Sequence, residues 1–179
     1  MNLYFKVDIG KNVYFGFLTK FVGGGRIKLG DNVDIMPYAM LVCHGKDGTI
    51  SFGKNSMIGM YGIIGSRGKI VIGDNVLMGQ NVFISDTNHA YDDVTQPIWK
   101  QGNVFVPKED GTPNIYIGDE SWIGRNTVII GNVNIGRHCV VGANSVVNKD
   151  IPDYCVAVGS PAKVVKRYDF EQKSWMKII

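Results

Sequence analysis

The chain has 179 residues, 45% of them hydrophobic and 20% charged, enough for one well-buried domain, and no Pro/Ser-rich linker or charge block divides it. A net charge of +3 without a dense basic stripe disfavours a generic nucleic-acid binder. Three cysteines offer no disulfide framework, no apolar stretch reaches the roughly 18 residues of a membrane helix, and Lys6 and Asp8 interrupt any N-terminal signal, so a cytoplasmic protein without membrane insertion is expected.

From the N-terminus onward, apolar residues recur in steps of six. The triplets are Ile9/Phe15/Phe21, Leu29/Ile35/Leu41, Phe52/Ile58/Ile64, Ile72/Met78/Ile84, Ile117/Ile123/Ile129 and Ile135/Val141/Val147. A helical stripe would repeat at three and four and a half-buried strand at two. A period of six with Gly and Asn after the anchor instead alternates short strand with tight turn. Units such as LGDNVD, FGKNSM, IGRNTV and VGANSV put Gly and Asn where positive φ is tolerated. Inside every triplet the step is six, whereas between triplets it is 8, 11, 8, 33 and 6 residues. Three hexads therefore make one coil of a parallel β-helix, and the surplus residues leave from one corner of a triangular prism, as loops of a binding face do. Cys139 fills a hexad slot that Val, Ser or Thr takes elsewhere, so it reads as a packed small residue; Cys43 and Cys155 are likewise not expected to act as nucleophiles.

The largest surplus lies between Ile84 and Ile117, a loop over residues 85–116 too rich in His, Trp, Gln and Pro to be low-complexity. At its base, in SDTNHAYDD, stands His89, read as the last residue of a complete hexad and so fixed to the prism while opening onto the loop. A neutral imidazole there suits a general base. Asp86, Asp92 or Asp93 could accept its other ring N–H, as could a backbone carbonyl. His44 and His138 are read as solvated turn residues. The C-terminal segment 169–179 places Asp169 as an N-cap, Gln172 at the third helical position and Phe170, Trp175 and Ile178 on one side. A short helix capping the last coil is expected there, closing a β-helix domain of residues 1–168. Lys149, Lys163, Lys166 and Arg167 crowd this end.

The stretch IYIGDESWIGRNTVIIGNVNIGRHCVVGANSVVNKDIPDYCVAVGSPAKVVK resembles the hexapeptide-repeat acyltransferases, closest to sugar and polysaccharide O-acetyltransferases of the maltose and galactoside type. The likeness lies in a Trp-Ile-Gly hexad, a Gly-Ala-x-Ser-Val-Val hexad, Lys-Asp-Ile-Pro and Gly-x-Pro-Ala. It implies an all-β, left-handed parallel β-helix with acetyl-CoA as cosubstrate, no metal, and a homotrimer with active sites between subunits acting on a small-molecule or glycan acceptor. Carried over by residue, His89 would deprotonate an acceptor hydroxyl for direct attack on the thioester, and the backbone N–H of Arg125 would hold the oxyanion. Trp122, Gly124, Ala143, Lys149, Ser160 and Lys163 would line the CoA channel, with Asn148 departing from the family's usual Thr. Asn81 and Tyr61, on coils next to the loop, would contact the acceptor. A xenobiotic acetyltransferase would share this chemistry. A carbonic anhydrase of the same fold would need three convergent histidines, and a solenoid scaffold would need none of these residues.

Overall fold

The computed structural model describes residues 6–108 and 110–178. Within them the hexad anchors stack rung on rung in register. On the first face Ile9, Leu29, Phe52, Ile72, Ile117 and Ile135 follow one another. Phe15, Ile35, Ile58, Met78, Ile123 and Val141 do so on the second. The third face stacks Phe21, Leu41, Ile64, Ile84, Ile129 and Val147. All these pairings are parallel, which gives the expected all-β parallel β-helix: six complete coils between Lys6 and Val147 and the start of a seventh. The part of the first coil expected in residues 1–5 lies outside the described residues.

Burial follows the stacking. From Leu29 to Val147 each anchor is at most 4% exposed, whereas Ile9 and Phe15 of the first coil are exposed, with no rung before them among the described residues. Full burial of such a side chain contributes about 1.5–3 kcal/mol. The corners hold by two devices. Asn32, Asn55, Asn75, Asn81, Asn126 and Asn144 all take positive φ, and their side chains hydrogen-bond up the corner, as in Asn32 Nδ2 to Asn55 Oδ1 at 2.9 Å. Glycine after the anchor lets coils touch: a Cβ on Gly124 would lie 2.5 Å from Ala143 N. Cys43, Cys139 and Cys155 are buried, and desolvation is the main cause pushing the Cys43 and Cys139 thiols up to about 11, so neither is a ready nucleophile.

The C-terminal helix does not form. Cys155–Gly159 runs parallel to Val140–Val141 on the second face; the chain then reverses, Ala162–Asp169 pairs antiparallel with it, and Ser174–Lys177 pairs antiparallel in turn. Asp169 Oδ1 does accept from Glu171 N–H and Gln172 N–H at 2.9 and 2.8 Å, but Lys173 at φ 50° turns the chain back into a strand. Tyr168 and Trp175, cross-strand partners with ring centroids 5.4 Å apart, hold the two strands together. Strand pairing satisfies the backbone groups of the sheet edge, which a terminal helix would have left free. Ile179 lies outside the described residues.

Candidate active site

The third-face strand Phe83–Ser85 ends where the large excursion begins. Strand alternation sends Asp86 inward, on the side of Ile84. Its buried carboxylate accepts from Ser66 Oγ at 3.2 Å, Arg67 N–H at 2.8 Å, Gly68 N–H at 2.9 Å and Thr87 Oγ1 at 3.1 Å. Asp86 thereby ties the neighbouring coil to the root of the excursion. The expectation that it orients His89 is corrected, because these four donors use its lone pairs. Asp93 is similarly engaged: Thr95 Oγ1 and N–H and Gln96 Nε2 bond its carboxylate, and these bonds, led by the Thr95 hydroxyl, hold its carboxyl below the usual range.

Past Thr87 the chain leaves the wall. Asn88–His89 pairs antiparallel with Asn103–Val104, so His89 stands on a small hairpin and does not close a wall hexad as the spacing suggests. Its ring nitrogens have no hydrogen-bond partner among the described residues. The excursion carries one short helix, Ile98–Gln101. Its return leg is pinned where Asn114 Nδ2 and Asn132 Nδ2 both donate to Val106 C=O, at 2.9 and 3.2 Å, and where the Phe105 ring lies against Gly68.

His89 opens into a cavity of about 320 Å³ lined also by His44, Phe83, Ser85, Thr87, Asn88, Asn103 and Ile130. His44 is exposed at the start of the Gly45–Asp47 turn, as expected, and from there it also lines this cavity. The signal is present in the chain, since the shorter surplus after Leu41 leaves from the same corner as the long one. His138 is indeed a turn residue, at φ 53° on the first corner, with Nδ1 3.2 Å from Glu120 Oε2 and its ring stacked on Tyr154. Among the described residues no three His, Cys, Asp or Glu side chains are grouped to hold a metal ion.

The residues matched to the CoA channel divide between corners. Trp122, half exposed, stands on the second face between Leu77 and Val140, and Gly124, Arg125 and Ala143 follow on the second corner. Gly124 has a packing role of its own there, set by the approach of Ala143. Ser160 forms the tip of the C-terminal hairpin and Lys163 pairs with Val158, which packs over Gly142. Lys149 lies elsewhere, past Val146–Val147 at the third corner beside Asn148. Asn148 lines a neighbouring cavity of about 290 Å³ with Asp86, Asn88 and Val106. Tyr61 and Asn81 lie on the coils next to the excursion, as expected, but at the second corner. Both have positive φ; Tyr61 stacks on Tyr38 at 4.9 Å and Asn81 donates to Asn126 Oδ1 at 3.2 Å.

Residues 114–149 match the family model described as bacterial transferase hexapeptide (six repeats). The chain is 34% identical to WbbJ of Escherichia coli, assigned by its name to lipopolysaccharide biosynthesis as an O-acetyl transferase, over 86% of this chain and 78% of the relative. It is 40% identical to Rv3034c of Mycobacterium tuberculosis, named as an acetyltransferase, over 72% of this chain but only 40% of that relative's length. Among solved structures, a point mutant of the N-acyltransferase AntD from Bacillus cereus, in complex with dTDP and coenzyme A, shares the fold at a TM-score of 0.73. The two are 23% identical, and the match covers 92% of this chain and 86% of that one. Repeats in register, matched to WbbJ across most of both chains, place this chain in the hexapeptide-repeat acyltransferase family.

Proposed function

We propose that the protein transfers an acetyl group from acetyl-CoA to a hydroxyl of a sugar or surface-polysaccharide precursor, with His89 as general base, working in the cytoplasm. The observation that carries this reading is an imidazole without a hydrogen-bond partner among the described residues, opening into a cavity at the root of the one long excursion of a family prism. His89 takes the proton as the acceptor hydroxyl attacks the thioester carbonyl. The Arg125 N–H stabilises the oxyanion, and the CoA thiolate leaves and recovers the proton from the imidazolium. WbbJ's name supports a glycan acceptor.

His89 and Arg125 occupy different corners of one prism, with the third face between them, so a complete site draws on two subunits. The wall chemistry supports a trimer. After Lys20 the outward row of the third face runs Met40, Ile63, Phe83, Val128 and Val146, and the second, after Tyr14 and Asp34, runs Met57, Leu77 and Trp122, whereas the first shows Lys6, Asp8, Arg26, Lys28 and Lys69 before Val71 and Tyr116. Two largely apolar walls and one whose N-terminal half is charged suit a ring of three copies. No helix among the described residues is long and apolar enough to cross a membrane.

His89→Ala tests the assignment. Acetyl transfer, followed as CoA thiol release, should fall by about a hundredfold or more with equilibrium CoA binding unchanged. Near-normal turnover would remove His89 from the mechanism.

A further inference from the structure

The His89 cavity continues towards the N-terminal coils. His44 lines both it and a second groove of about 390 Å³, whose other walls are Gly45, Asp47, Arg67 and Phe105. Gly65 makes the junction possible. It lies in register between Val42 and Ser85, and a Cβ added there would come within 3.4 Å of His44 Nε2 and 3.9 Å of Ser85 Oγ. Its φ is not positive, so the backbone does not call for glycine; the bare position gives room to the His44 ring.

Arg67 supplies the charge. Its N–H is fixed on Asp86, and among the described residues its guanidinium makes no ion pair, although Asp47 lines the same groove. The next groove along this corner is lined by Lys6, Arg26 and Lys46, with Asp8 3.7 Å from Arg26, so cations outnumber acids along the track. An unpaired guanidinium beside an imidazole and an aromatic wall fits a planar or tetrahedral oxyanion attached to a ring.

We propose that His44 and Arg67 form an acceptor subsite for an anionic group, phosphate or carboxylate, carried by the acceptor one to two coils, roughly 5–10 Å, away from the hydroxyl that His89 deprotonates. The subsite rests on the acyl-transfer reading above. Asp47, which lines the same groove, accepts from hydroxyls of the same ligand, which favours a charged sugar over a bare anion.

The purified protein would be assayed with UDP-glucose, methyl glucuronide and neutral methyl glucoside, alongside Arg67→Met, an exposed position whose change leaves the core intact. Turnover or, for a poor acceptor, ligand-observed NMR binding is read for each. The wild type should favour at least one anionic ligand over methyl glucoside. Arg67→Met should weaken that preference about tenfold, with the neutral ligand and the KM for acetyl-CoA unchanged. Preference for the phosphate or the carboxylate probe identifies the group. Equal binding of neutral and anionic probes, or an equal loss for all ligands in Arg67→Met, would overturn the subsite. Anion binding that needs Arg67 in a protein that does not bind CoA would instead overturn the acyl-transfer reading and leave the subsite standing.

Discussion

Asp86 shows how far a single residue can be read from its neighbours in the chain. Three positions from His89, it invites pairing with the imidazole, yet strand alternation continues past Ile84 and turns it inward onto Ser66, Arg67 and Gly68. Asp86→Asn keeps the shape but sets an amide donor against backbone N–H groups. It should lower unfolding stability by about 2 kcal/mol, read as a shift of the urea midpoint. If Asp86 only anchors the excursion, the pH dependence of kcat/KM keeps its wild-type midpoint; a moved midpoint would restore it as the partner of His89. The same period of two turns His44 outward after the inward Cys43, as it turns Thr87 outward after the inward Asp86.

At the scale of elements, the six-residue rhythm carries almost everything. Every anchor triplet inferred from spacing is a coil, because a residue that must point inward at each rung leaves a periodic trace. The C-terminal segment leaves no such trace. Asp169 bonding two following N–H groups is common to a helix start and to a tight turn, and only the paired edge decides between them. That edge makes Trp175 structural. Trp175→Ala should cost about 2 kcal/mol through loss of contact with Tyr168 and lower the melting temperature, with the isolated CoA-binding step preserved. A melting temperature equal to wild type would show that the hairpin adds nothing to the stability of the last coil.

For the whole molecule, the prism is legible in the chain and its assembly is not, since flat walls show there only as alternation. The hand of the coil likewise comes from resemblance, as a period cannot distinguish mirror-related windings. The separation of His89 from the Arg125 and Ala143 corner is a property no pattern in the chain announces. It makes a quantitative test possible by mixing two inactive forms, His89→Ala and Ala143→Trp, the latter at an exposed corner where bulk would block the pantetheine arm. Refolded together in equal amounts, random trimers should recover about a quarter of wild-type activity, because that fraction of junctions pairs an intact imidazole with an intact corner. No recovery would place both halves of the site in one chain.

On the proposed reading, with base and donor seat on separate edges of each prism, a lone copy would be inert. Dilution would then act as a brake that needs no effector, and turnover per molecule would rise with the amount of protein present until association saturates.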